Sequence, residues 1–255
     1  MNFKLGQKII NKYRKNILDY KYINPNELNR DNWVIKKLQS IPSGENILDA
    51  GAGEMRYKPY CSHLDYKSQD YCQNKGLTEG NLTEGLLNDK WDTSKIDIES
   101  DIISIPVGDN SFDNILCTEV FEHIPFPIKA IEEFKRIIKP GGKLILTAPF
   151  ACLSHQTPYF FYSGYSVYWY KKFLEENNFE ILEMSPNGNY FEYMLQEINR
   201  LEYCKNSYCK DLSMHYPEKE ITKICMYLEE CSKKQTNSED ILCFGWHVLA
   251  QSKGN

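Results

Sequence analysis

The sequence predicts an α/β fold built on a doubly wound, mostly parallel sheet. Three observations predict it. A strand-type run from Asn46 to Asp49 closes on an acid and passes directly into Gly51-Ala52-Gly53. From there to residue 150, strand and helix patterns alternate, which requires parallel strands joined by right-handed crossovers. Finally, Asp49–Gly53, Asp70, Asp101 and Glu119–His123 all fall at the carboxyl ends of those strands, the edge at which open sheets bind ligands.

Composition narrows the functional classes. A chain of 255 residues with a net charge of −5 fits one large domain, residues 1–255, with a sizeable core. The negative balance argues against a nucleic-acid partner, which a basic face would mark. Nine cysteines, an odd number without a Cys-x-x-Cys pair, suggest neither a disulfide framework nor a zinc site. Reduced thiols in a cytoplasmic protein are the simpler reading. The basic start, MNFKLGQKIINKYRKN, lacks the apolar segment of a signal peptide, and no run approaches a membrane span.

Residues 1–42 form a helical leader of one or two helices. The second opens at Asn26-Glu27-Leu28, carries Leu28, Trp33, Ile35 and Leu38 loosely on one side, and stops at Ile41-Pro42-Ser43-Gly44. It either closes over a ligand or simply packs. The first strand follows. Its glycine turn allows a tight reversal and lets backbone N–H groups approach a ligand that a Cβ would block. This is not a dinucleotide fingerprint, because Arg56 stands where the third glycine would be. Asp49 also suits a ligand with a cationic ammonium and hydroxyls better than a pyrophosphate, which points to S-adenosylmethionine (SAM).

A short helix is expected near Glu54, then a second strand from Asp65 to Asp70. Asp70 lies about 20 residues after Gly51, the spacing of a ribose-binding acid in such folds; Asp65 is the alternative if the strand is earlier. Residues 73–95, polar and glycine-rich, are a loop. Ile96 to Pro106 is the third strand and its exit. There Asp101 can accept from the adenine amine while the next N–H, that of Ile102, serves a ring nitrogen; otherwise Asp101 is a solvated turn residue. Phe112 to Thr118 is the fourth strand. A helix over 127–138 places Ile128, Ile131, Phe134, Ile137 and Ile138 at helical spacing. Lys139-Pro140-Gly141-Gly142 ends it, and Lys143 to Ala148 is the fifth strand.

The last third begins with an aromatic stretch, Ala151 to Tyr170, that leaves the fifth strand at the ligand edge. Such a rim can hold a sugar, a nucleotide or another ring, with His155, Tyr159 and Tyr162 as acceptor-side candidates; core packing is the plain alternative. Next come a helix over 166–178, a strand over 179–184 and a helix from Asn189 or Tyr190 to Tyr203. The start of that helix makes Asn189 and Tyr190 further acceptor candidates. A polar loop (204–217), a helix (218–234) and a last strand (242–251) complete the chain.

The segments ILDAGAGE, SDIISIPVGDNSFDNILCTEVFEHIP and RIIKPGGKLILTAPF, with the acid at Asp70 between the first two, resemble the class I SAM-dependent methyltransferases. Within that superfamily the chain is similar to the large group with an EHI or EHV element after the fourth strand. The resemblance covers residues 46–150. It implies a Rossmann-like sheet of seven strands, the last antiparallel and lying between the fifth and sixth. It also implies that Asp49 and the Gly51-Ala52-Gly53 turn line the methionine end of SAM, Asp70 the ribose and Asp101-Ile102 the adenine, with Glu119 closing the pocket near the methyl. Met55 departs from the pattern, standing where many members have glycine.

Methyl transfer from a sulfonium is an in-line displacement that needs mainly positioning and a shielded site. A hydroxyl acceptor also gains from a base, whereas an amine must arrive unprotonated. His123 is the leading base, with Glu122 and His155 as alternatives; its other reading is a brace for the crossover helix. Neither [DNS]-P-P-[YFW] nor Pro-Cys follows the fourth strand, which disfavours adenine-N6 and cytosine chemistry on nucleic acids. The expected acceptor is a small molecule, a sugar or surface-glycan precursor, methylated on O or N. No ligand spacing for a metal is visible and none is expected. A nicotinamide-dependent reductase and a non-catalytic SAM-binding module are the competing classes, and a homodimer stays open.

Overall fold

The computed structural model describes residues 25–72, 91–209 and 217–254. Two compact units emerge among them. The larger comprises 30–187 with 244–254, and the smaller 25–29 with 188–209 and 217–243. The first part of the predicted leader, most of the 73–95 loop and residues 210–216 of the 204–217 loop lie outside the described residues.

The larger unit holds a seven-stranded sheet: β1 (Asn46–Ala50), β2 (Asp65–Asp70), β3 (Ile98–Glu99), β4 (Phe112–Thr118), β5 (Ile138–Pro149), β6 (Phe179–Asn187) and β7 (Gly245–Ser252). The order is β3-β2-β1-β4-β5-β7-β6. All neighbours are parallel except β7, which runs antiparallel to both β5 and β6. The sequence pattern predicts the parallel core, and the family resemblance implies the place and direction of the last strand. The order reverses between β1 and β4, the switch point where crossovers leave to opposite faces and open a crevice.

β1 is buried along all but its first residue, as expected of a parallel strand covered on both faces. Helix α1 (Pro25–Gln39) sets Val34 and Leu38, both fully buried, in a cluster with Ile47, Leu116 and Ile145. Helix α2 (Pro127–Ile137) buries Ile131, Phe134 and Ile137 and starts on a proline, whose missing N–H costs nothing there. Helix α3 (Val167–Glu176) is capped by Ser166, whose side chain accepts from the Trp169 N–H. In the smaller unit, α4 (Tyr190–Tyr208) and α5 (Glu218–Lys234) pack as a pair.

Four boundaries differ from the sequence reading. The glycines of Lys139-Pro140-Gly141-Gly142 do not end a helix but form an irregularity within β5. Ile138 still pairs with Phe112, and pairing resumes with Lys143 opposite Asn114. A Cβ on Gly142 would lie 2.6 Å from the Asp113 carbonyl, so only glycine passes there. β3 shrinks to two residues because the Asp97 carboxylate, not a backbone carbonyl, accepts from the Ser68 N–H at 2.9 Å. The expected helix at Glu54 is a run of turns and a 3₁₀ helix, Lys58–Tyr60, because Met55 adopts φ +55°. α4 runs past Tyr203 to Tyr208. No described helix is long and apolar enough to cross a membrane.

Candidate functional site

A cleft of about 250 Å³ opens at the carboxyl edge of β1, β2 and β4. Its floor is the glycine turn. Gly51 has φ +73°, and a Cβ there would meet Val120 Cγ2 at 2.4 Å. Gly53 has φ +52°, with a Cβ position 3.0 Å from the Trp91 ring. The turn is laced to the end of β2. Gly51 and Ala52 N–H groups both donate to the Gln69 carbonyl at 2.9 Å, and the Gly53 N–H donates to Asp70 Oδ2 at 2.9 Å. Asp70 Oδ1 accepts from the Cys72 N–H at 2.7 Å. Asp65, the alternative acid, pairs with Asn46 at the opposite end of the strand.

Asp49 is buried at the end of β1, beneath the turn. Burial pushes its carboxyl up to about 7; Tyr66, whose hydroxyl donates to Oδ2 at 2.6 Å, opposes this, and nearby Asp70 adds to it. Asp101 and buried Ile102 line the adjacent wall, with Asp101 Oδ1 accepting from the Ile103 N–H at 3.1 Å. Glu119 leaves β4 at φ +53°, a left-handed conformation uncommon outside glycine. Its N–H donates to the Thr147 carbonyl at 2.9 Å. Its side chain accepts from Thr147 Oγ1 at 2.9 Å and meets Arg30 at 3.2 Å.

The other wall is the 3₁₀ turn Phe121–His123, stitched to the aromatic loop after β5. Phe161 and Tyr162 N–H groups donate to the Glu122 carbonyl at 2.8 and 3.3 Å. The Tyr165 hydroxyl donates to the Phe121 carbonyl at 2.7 Å. His123 Nδ1 lies 2.6 Å from the Tyr159 carbonyl and His155 Nδ1 lies 2.8 Å from that of Leu153. A carbonyl can only accept, so each ring carries its proton on Nδ1. Both Nε2 atoms turn to the buried Glu122, at 3.7 and 4.0 Å from its Oε1. Burial, then the neighbouring His155, pushes His123 down to about 4, so it is neutral at pH 7 and the 3.7 Å approach is not an ion pair. Burial, then Glu119, pushes Glu122 well above the usual carboxylate range.

Gly51, Asp70, Asp101, Ile102, Glu119, His123 and Tyr159 thus line one cleft. Asp49, Ala52, Gly53, Glu122 and His155 stand outside its lining. Tyr162 turns its hydroxyl to the Pro125 carbonyl at 3.0 Å. Asn189 and Tyr190 start α4 in the smaller unit, where Asn189 Oδ1 caps the helix by accepting from the Phe191 and Glu192 N–H groups. The sequence reading missed Gln69, Tyr71, Trp91, Ile124, Gln156 and Phe161 in the lining. Tyr71 was legible as the aromatic next to Asp70. Trp91 stands in a polar stretch without a pattern and was not.

Residues 48–146 match the family described as methyltransferase domain. Over 105 residues the chain is 49% identical to a ubiquinone biosynthesis O-methyltransferase of Xanthomonas oryzae pv. oryzae, covering 41% of this chain and 43% of the relative. Over 127 residues it is 32% identical to a demethylmenaquinone methyltransferase of Renibacterium salmoninarum, covering 49% and 47%. The chain therefore spans less than half the length of these relatives. Among solved structures, the [4+2]-cyclase SpnF aligns with a TM-score of 0.54 at 16% identity, over 89% of this chain and 81% of that one, a likeness of fold.

Proposed function

We propose that this chain, whose residues 48–146 match the family described as methyltransferase domain, is a class I SAM-dependent methyltransferase that transfers the methyl group of SAM to an oxygen or nitrogen of a small-molecule acceptor. One observation carries the reading. Gly51 of the glycine turn, Asp70 and Asp101-Ile102 line the same cleft as Glu119 and His123. In this reading Asp70 receives the ribose hydroxyls, Asp101 and the Ile102 N–H read the adenine edge, and Tyr71 offers it a ring face. Asp49 answers the ammonium of the methionine end, and its proton leaves when that cation arrives.

The acceptor binds on the side of Tyr159 and Phe161, whose rings favour a ring-bearing molecule, a sugar or an aromatic alcohol. One relative is named as a ubiquinone biosynthesis O-methyltransferase, which supports a ring hydroxyl. Neutral His123, with Glu122 and His155 beside it, stands where an acceptor hydroxyl would lose its proton.

The test is thermal unfolding with SAM, S-adenosylhomocysteine and NADH, followed by methyl transfer from labelled SAM to a panel of phenols, catechols and sugars. The expected outcome is a rise in Tm with both SAM species, and SAM binding weakened by about 1–3 kcal/mol in Asp70→Ala but unchanged in Asp65→Ala. No rise at saturating SAM, or a larger rise with NADH, overturns the reading.

A further inference from the structure

Glu122, His123 and His155 form a cluster that methyl transfer by itself does not require. One ligand atom from each lies within 4.8 Å of the other two. An ion held about 2.0–2.2 Å from each ligand needs ligand pairs no more than about 4.4 Å apart. The two histidine-to-Glu122 distances, 3.7 and 4.0 Å, meet that limit, and the two histidine ligand atoms lie within 4.8 Å of each other. Both rings also have the support seen behind metal-bound histidines: each Nδ1–H donates to a backbone carbonyl and presents Nε2 to the cluster.

The second observation is independent of these distances. Glu122 is 1% exposed, and its Oε2 has no hydrogen-bond partner among the described residues. A buried carboxyl oxygen without a partner is costly. Arg30, the nearby cation, is engaged by Glu119.

We propose that Glu122, His123 and His155 bind one divalent transition-metal ion beside the cleft, with coordination positions left open towards the acceptor. Two imidazoles and one carboxylate suit zinc, manganese, iron or cobalt better than magnesium, which prefers oxygen ligands. The sequence gives no sign of the site because Glu122 and His123 are adjacent while His155 arrives on a separate loop. The fold, not a spacing, assembles the ligands.

The consequence for chemistry rests on the methyltransferase reading; the binding does not. An acceptor hydroxyl on an open position loses its proton to solvent more readily. The acceptor oxygen then bonds to the methyl carbon as the carbon–sulfur bond breaks, the electron pair returning to sulfur. His123 acts here as a ligand and not as a free base.

The test uses the full chain, stripped with EDTA and dialysed. Co²⁺ is titrated with visible absorption as the readout, Zn²⁺ by calorimetry, and SAM by thermal shift on the same stripped protein. The expected result is one saturable equivalent with nitrogen–oxygen type cobalt absorption, weakened at least tenfold in His155→Ala and in the near-isosteric Glu122→Gln. Absence of saturable binding, a thiolate-to-cobalt charge-transfer band, or unchanged affinity in either folded variant overturns the proposal. A SAM response without metal binding sinks this inference alone. Metal binding without a SAM response upholds the site and removes the methyltransferase reading.

Discussion

Met55 follows the glycine turn at φ +55°, a region that costs an ordinary side chain about 1–2 kcal/mol. The position that departs from the family pattern is thus one whose backbone favours glycine. Met55→Gly should be tolerated, changing stability by less than about 1 kcal/mol, since relief of strain offsets the added freedom of the unfolded chain. Met55→Val should lose about 1–2 kcal/mol, because a β-branched side chain fits this region worst. Urea unfolding of the two variants decides it, and equal stability of the two would count against strain at this residue. Glu119 and Gln156, at φ +53° and +52°, both line the cleft. Unfavourable backbone thus gathers where the ligand would sit, a pattern typical of functional sites. None of the three was legible beforehand, since neither methionine nor glutamate nor glutamine announces a left-handed turn. Gly51 and Gly53 were legible because glycine directly after a strand does.

At the scale of elements, the wall beyond β4 is two loops held to each other by directed bonds. Tyr165 is the buried stitch, donating to the Phe121 carbonyl at 2.7 Å. Tyr165→Phe leaves that carbonyl unpaired and should cost about 1–3 kcal/mol, whereas Tyr162→Phe, at an exposed hydroxyl, should stay within about 0.5 kcal/mol. Thermal melts of both variants check this; a silent Tyr165→Phe would mean the loop is held by packing alone. The strands and α2 could be read in advance because burial imposes a period on them. The aromatic loop could not, because its fixed shape comes from side-chain bonds to backbone groups distant in sequence. The same reason hid the convergence of His155 on Glu122, although each residue had been singled out on its own. The role read for Gly141-Gly142, ending α2, failed differently: the helix stops at Ile137, and glycines signal an unusual backbone without saying whether it is a helix cap or a bulge.

For the whole molecule, buried titratable groups pull stability in opposite directions with pH. Burial pushes His247, stacked on Trp33 at 5.0 Å, down to about 4; the Arg30 charge adds to this and Glu183 opposes it. His123 behaves alike. Between an unfolded value near 6.5 and about 4, the unfolded chain binds more protons at these sites, so stability falls on acidification. Asp49, raised to about 7, is protonated in the folded state first, so its contribution rises over much of the same range. His247→Gln removes one histidine and leaves Asp49. Its Tm should therefore fall less between pH 7 and pH 5 than that of the unmodified protein, as differential scanning fluorimetry can measure. An identical fall would show that His247 does not titrate in this window. The strand order carries a different consequence. β6 has β7 as its sheet partner, and β7 lies between it and β5. As the chain leaves the ribosome, β5 and β6 emerge well before the strand that joins them. Until then β5 presents an open edge and β6 has nothing to pair with, so the nascent chain is most exposed to wrong partners just before synthesis of β7 ends.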